Sequence, residues 1–258
     1  MGEGALAGLG VLVTRPEAQA QGLCERIEAE GGRAIAFPCI EIQALPDLGP
    51  ARRAAERLEP GDIVVFVSLN AVAHGMPCLG PVLHEGLRVA AVGAGTAGRL
   101  AARGVDCVAC AETEASSEGL LALALFQAQE ISGRRVLIVR GRGGRGLLGA
   151  ALTARGARVD YAEVYRRNCP ATDPNPLITL WKQGQIDVVI ITSAEGLDNL
   201  SLLLGKAGRA LLRDAQLLVM SGRLARHALG LGIRKPPLVA GDAGDEALIE
   251  ALKEWKSL

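Results

Sequence analysis

The sequence predicts an α/β fold of two doubly wound parallel-sheet domains that arise from an internal duplication and are joined by a two-strand β linker. Three observations carry this reading. Short apolar runs rich in Val, Ile and Leu alternate with helical segments along the chain, the pattern of buried parallel strands under covering helices. Two of those runs recur at one spacing: VLVTR at Val11 to Arg15 returns as VLIVR at Val136 to Arg140, and DIVVFVS at Asp62 to Ser68 returns as DVVIITS at Asp187 to Ser193, both 125 residues on. Two extended runs, Arg33 to Gln43 and Arg158 to Asn168, are 11 residues each. At 3.3 Å per residue they reach about 36 Å, farther than one sheet needs.

In chain order, strands are expected at Val11 to Thr14, Arg33 to Gln43, Asp62 to Ser68, Leu87 to Gly93, Val105 to Cys110, Arg135 to Arg140, Arg158 to Asn168, Asp187 to Ser193, Leu217 to Ser221 and Leu238 to Gly241. The helices between them carry ordinary signals, such as Gly31 closing the segment Glu17 to Glu30 and Ser117 ahead of Leu120. Val92-Gly93 and the helix after it resemble Met220-Ser221 and its helix at a spacing of 128, so small insertions have entered late in the repeat. Pro38 removes a ladder bond from the middle of the first long run, so that strand should end there and resume in the other domain. This gives domain A as residues 1–37 and 170–258, domain B as 44–158, and β linkers at 38–43 and 159–169. Two crossings make a hinge, and the cleft between the domains is the expected place of function.

Composition excludes several classes. At 258 residues and 49% hydrophobic, the chain can fill two modest cores. Lys+Arg and Asp+Glu are both 28, so no global field draws it to nucleic acid or anionic lipid, and aromatics at 3% leave few stacking platforms. No nucleic-acid or membrane partner is expected. The N-terminus lacks a signal-peptide pattern and no apolar run reaches bilayer length, which points to the cytoplasm. The six scattered cysteines, Cys24, Cys39, Cys78, Cys107, Cys110 and Cys169, read as reduced thiols.

Few motifs carry chemistry. Gly93-Ala-Gly95-Thr-Ala-Gly98 with Glu112 and Glu114 downstream fits a dinucleotide fingerprint, as does the glycine spacing of Gly141 to Gly146. With 33 glycines, though, chance matches are expected, and the first motif does not open a domain. The sturdier expectation is that the turns after Gly93 and Arg140 offer backbone N–H groups to an anion. Arginines thicken around the second turn at Arg134, Arg135, Arg140, Arg142, Arg145, Arg166 and Arg167, either as a solvated basic face or, for Arg140 at a strand end, directed into the cleft. Cys107 and Cys110 have redox spacing but fall in an expected strand and read as two core thiols. His74, His84 and His227 stand apart, so no metal is expected, and no Ser-His-Asp set stands out. What remains is a set of hydroxyls at strand ends, Thr14, Ser68, Thr96, Ser193 and Ser221, together with Tyr165 where the return linker enters the cleft. Helix capping and linker packing are the plain alternatives.

At these residues the sequence resembles uroporphyrinogen-III synthase. VLVTRP at Val11 to Pro16, FPCIEI at Phe37 to Ile42, FVSLNAV at Phe66 to Val72, AVGAGTA at Ala91 to Ala97, IVRG at Ile138 to Gly141, VYRR at Val164 to Arg167 and ITS at Ile191 to Ser193 stand in that family's order. The resemblance implies a cofactor-free lyase that closes the linear tetrapyrrole hydroxymethylbilane into uroporphyrinogen III, with loss of water and inversion of the last ring. A pyrrole nitrogen can itself expel the hydroxyl, so the protein's task is to hold a reactive chain in one shape. By position, Tyr165 matches the tyrosine tied to the leaving hydroxyl, and Ser68, Thr96 and Ser193 match cleft-lining hydroxyls. Thr14, Arg15, Asn70, Gly93, Arg140, Gly141, Ser221 and Arg223 complete the expected substrate-binding set, on a chain expected to be a monomer. Two positions depart from the family: Asn70, where some members carry a basic residue, and Ser221 to Leu224, where many carry Gly-x-x-Thr and Arg223 stands in for the threonine's contact. The rival reading is a non-catalytic two-domain module that closes on an anion by its hinge. A dinucleotide-dependent reductase is the third.

Overall fold

The computed structural model describes residues 4–83, 86–111, 116–144, 146–241 and 244–257. The chain divides into two compact units: unit one holds the segment up to Glu41 and the segment from Asn168 onward, and unit two is Ile42–Arg167. The strands are β1 (Gly10–Val13), β2 (Arg33–Ala36), β3 (Glu41–Ala44), β4 (Ile63–Phe66), β5 (Arg88–Ala91), β6 (Ala109–Cys110), β7 (Arg135–Gly141), β8 (Arg158–Asn168), β9 (Val188–Ile191), β10 (Gln216–Val219) and β11 (Leu238–Val239). The α-helices are α1 (Glu17–Ala29), α2 (Gly49–Ala55), α3 (Leu69–Leu79), α4 (Ala94–Ala101), α5 (Ser117–Ala122), α6 (Ala128–Ile131), α7 (Leu147–Ala154), α8 (Asn175–Lys182), α9 (Ala194–Asp214), α10 (Gly222–Gly230) and α11 (Asp245–Lys256).

The sheet of unit one runs β2-β1-β9-β10-β11 and that of unit two β3-β8-β7-β4-β5-β6. The pairings of β1 with β2 and β9, of β10 with β9 and β11, of β4 with β5 and β7, of β5 with β6 and of β7 with β8 are all parallel. β3 aside, the two orders follow one plan: a consecutive pair (β1, β2 or β7, β8) lies beside three consecutive strands (β9 to β11 or β4 to β6). Neither half of the sequence therefore makes a sheet of its own. The order reverses between β1 and β9 in unit one and between β7 and β4 in unit two. In open parallel sheets, ligands bind beyond the carboxyl ends of the strands at such a reversal.

Strict alternation puts both faces of each sheet in a core. Leu12, Val189 and Ile191 pack on one side of unit one, and Val11, Val13, Val188 and Ile190 on the other. Val64, Phe66, Leu137 and Val139 do the same in unit two, opposite Ile63, Val65, Val136 and Ile138. This is why these strands are apolar throughout instead of alternating.

One strand reading holds and two change. As expected, the run Arg33 to Gln43 is two strands, β2 in one sheet and β3 in the other, because Pro38 has no N–H to extend the ladder. The second long run is one unbroken strand: β8 pairs with β7 from Arg158 to Tyr165, with a bulge at Arg140/Gly141, so most of the expected linker 159–169 is ordinary sheet of unit two. The expected strand Val105 to Cys110 shrinks to Ala109–Cys110, because Cys107 takes a left-handed φ of 55° and breaks the extension. Cys107 is accordingly exposed and Cys110 half-buried, which corrects the reading of both as core thiols.

Candidate functional site

Every strand-end residue named from the sequence sits at a turn from strand to helix, and the first finding is how many of them cap helices. Ser68 Oγ accepts the Ala71 N–H at 3.2 Å at the start of α3, Ser193 Oγ the Gly196 N–H at 3.0 Å at α9, and Ser221 Oγ the Leu224 N–H at 3.3 Å at α10. Each serine has extended backbone before its helix, the geometry in which a hydroxyl satisfies one of the first-turn donors. The fourth such turn differs. Gly93 precedes α4 with φ 86°, a conformation open to glycine, and no side chain caps that helix. Thr96 is buried in its first turn, and Asn70 is half-buried in the first turn of α3.

At the reversal of unit one, buried Thr14 donates its hydroxyl to the Ile190 carbonyl at 2.8 Å and so pins β1 to β9. Arg15 forms an ion pair with Asp245 in the first turn of α11. Asn199 donates to the Cys39 carbonyl at 2.8 Å. Burial, with the nearby Cys169 as a smaller contribution, pushes the Cys39 thiol up to about 12. Arg223 is exposed beside the Ser221 cap.

At the reversal of unit two the central group is Tyr165, 2% exposed and packed in the core with Phe66 and Val139. Its phenol lies 3.3 Å from Ser68 Oγ, and its ring is 5.6 Å from that of His74. Gly141 is there because nothing larger fits: a Cβ at that position would stand 2.7 Å from two ring carbons of Tyr165. Arg140 folds back on its own turn, with Nε donating to the Gly141 carbonyl at 3.2 Å, Nη2 to the Gly144 carbonyl, and the guanidinium 4.8 Å over the Tyr161 ring. The turn's backbone donors are also engaged, Arg142 N with the Tyr165 carbonyl at 2.8 Å and Gly143 N with Glu163 at 3.4 Å. That leaves the uncapped start of α4 as the better fit to the idea of N–H groups turned toward an anion.

The arginines gathered in sequence fall into two groups at opposite ends of β7, Arg134 and Arg135 at its start, and Arg140, Arg142, Arg166 and Arg167 where its end pairs with β8. Arg135 opens β7 and Arg140 nears its end, five residues and about 16 Å apart along the strand. Arg135 meets Asp160, Arg142 meets Glu163 and Arg166 meets Gln43. Arg145, His84, Glu112 and Glu114 lie outside the described residues. Among the described residues no helix is long and apolar enough to cross a membrane.

The family described as uroporphyrinogen-III synthase HemD matches residues 21–250. The chain belongs to the uroporphyrinogen-III synthase family. It is 36% identical to the uroporphyrinogen-III synthase of Salmonella typhimurium over 95% of this chain and 100% of that protein, and 34% identical to that of Escherichia coli over the same shares. Among solved structures, the same fold occurs in a mutant uroporphyrinogen III synthase from Thermus thermophilus (TM-score 0.59, 18% identity, covering 95% of this chain and 99% of that one). It occurs again in the uroporphyrinogen-III synthetase of Helicobacter pylori (TM-score 0.60, 15% identity, 96% and 99%). In this member of the uroporphyrinogen-III synthase family, sequence reasoning missed the Ser68–Tyr165 pair, Asp245 as the partner of Arg15 and Tyr161 under Arg140. Only the first had a signal: Ser68 and Ser193 are 125 residues apart, and so are Ile40 and Tyr165.

Proposed function

We propose that the chain closes hydroxymethylbilane into uroporphyrinogen III, with loss of water and inversion of the last ring, and that it does so as a cofactor-free lyase. The observation that carries this reading is the family match over residues 21–250, joined to relatives of that name aligned over their whole length. The site's chemistry supports it. Hydroxyls, an amide and backbone donors stand at the carboxyl ends of both sheets, which suits a substrate rich in carboxylates whose own pyrrole nitrogen supplies the push.

In this reading Thr14, Arg15, Ser68, Asn70, Gly93, Thr96, Arg140, Gly141, Ser193, Ser221 and Arg223 form the substrate-binding set, and Tyr165 assists departure of the hydroxyl. Some act at one remove: Thr14 sets the β1/β9 edge, Arg140 braces the turn after β7, and Gly141 makes room for the Tyr165 ring. The protein works as a cytoplasmic monomer. Freshly generated hydroxymethylbilane incubated with the protein should yield uroporphyrinogen III far faster than the blank yields isomer I. Isomer I alone, at the uncatalysed rate, refutes the reading and leaves the anion-binding module in its place.

A further inference from the structure

We infer that Ser68 is the group that meets the departing oxygen and that Tyr165 is a positioning residue acting through it. The inference rests on the function proposed above and deepens it. Tyr165 is 2% exposed and so offers a substrate almost no surface in this conformation, whereas Ser68 is half-buried at the turn between β4 and α3. Among the described residues the phenol's hydrogen-bond partner is Ser68 Oγ, at 3.3 Å.

The direction of that bond follows from counting donors and acceptors. Ser68 Oγ has two lone pairs and one proton. The Ala71 N–H takes one lone pair at 3.2 Å. If Ser68 donated to Tyr165, the buried phenol proton would be left without an acceptor, which costs desolvation free energy that a native core avoids. Tyr165 therefore donates to Ser68 and occupies the second lone pair. The Ser68 proton is then the one this hydroxyl can give to a further acceptor, and two donors pulling on the oxygen make it a stronger donor. As the C–O bond of the hydroxymethyl group breaks, its electron pair goes to oxygen while the pyrrole nitrogen's lone pair, pushed through the ring, forms the exocyclic C=C bond of an azafulvenium cation. The hydroxide is balanced as water by the proton that the attacking pyrrole carbon releases when that ring regains aromaticity. Ser68 stabilises the charge on that oxygen by a hydrogen bond and keeps its proton throughout.

The partner turn in unit one lacks this device. Ser193, 125 residues after Ser68, caps α9 in the same way, but the residue spaced to match Tyr165 is Ile40, which brings no hydroxyl.

The test is a double-mutant cycle on Ser68 and Tyr165, with steady-state kinetics on freshly generated hydroxymethylbilane and thermal unfolding of each protein. Ser68→Ala should lower kcat about 10- to 100-fold with little change in KM, the signature of one donor lost in the transition state. Ser68→Gly, which preserves most of the cap, should show the same kcat loss at nearly wild-type stability, and Ser68→Thr should restore turnover. Tyr165→Phe should lower kcat about 3- to 10-fold, and the double variant should be no slower than Ser68→Ala, because the phenol acts only through the serine. Losses that multiply in the double variant, or a Ser68→Gly protein with full kcat, overturn the inference while leaving the functional reading intact. Wild-type protein that makes isomer I alone overturns both.

Discussion

The two reversal points are built from matching positions and differ in chemistry. In unit one the cap serine Ser193 stands near Ile40, whose Cδ1 would lie 3.9 Å from a Cβ on Gly196. In unit two the cap serine Ser68 stands against the phenol of Tyr165. Both serines accept a helix N–H, so capping is common to the two and cannot be what separates them. The flanking arginines diverge in the same way: Arg15 is matched by the Asp245 carboxylate, while Arg140 is spent on carbonyls of its own turn and on Tyr161. Equivalent backbones thus carry a cap serine beside an apolar side chain in unit one and a cap serine beside a phenol in unit two.

The sharpest way to break this comparison is at the glycines. Gly141→Ala places a Cβ 2.7 Å from the Tyr165 ring, so ring or backbone must move. We expect it to cost about 1–3 kcal/mol, seen in thermal unfolding, and to lower kcat by displacing the phenol. Gly196→Ala makes one tight contact, with Ser193 Oγ at 3.1 Å, and an ordinary one with Ile40 at 3.9 Å, and Ala71 already holds the corresponding place in unit two. A gain of helix propensity should offset that contact and leave stability within about 1 kcal/mol of wild type. Equal losses at the two positions would mean that the ring does not occupy the space assigned to it.

A smaller effect tests burial at the unit-one reversal. The folded Cys39 thiol titrates near 12, above its ordinary value of 9, so above pH 9 the folded state binds more protons than the unfolded one. Its contribution to stability is therefore complete below pH 9 and is lost as pH rises from about 9 to 12. Denaturant unfolding at pH 8 and pH 10.5 should show a steeper decline for wild type than for Cys39→Val, whose new residue is the one found at Val164. At pH 8 a thiol reagent should label exposed Cys107 and spare Cys39 until the protein unfolds.

Much of this architecture was legible because buried parallel strands must be apolar on both faces: runs such as DIVVFVS and DVVIITS mark themselves, and Pro38 marks the crossing between sheets. Short or bent elements were less legible. Nothing in Val105 to Cys110 announces the left-handed turn at Cys107, since glycine, the usual occupant of that conformation, is absent. The candidate site was legible as a set of residue types at strand ends, but their pairing was not. That Tyr165 turns inward to Ser68, and that Arg140 turns back on Gly141 and Gly144, depends on the bulge at Arg140/Gly141 and on the space a glycine leaves. Neither is visible in the order of residues alone.

The central claim is that two similarly capped turns do different work, and kinetics of Ser68→Ala beside Ser193→Ala test it most directly. Each substitution removes one cap and should cost about 1 kcal/mol of stability, so folding alone cannot separate them. Assayed on hydroxymethylbilane with product isomers resolved, Ser68→Ala should lose kcat, while Ser193→Ala should lose binding and show it as a raised KM. The same kcat loss in both variants would contradict the account, because it would make the phenol behind Ser68 irrelevant to turnover.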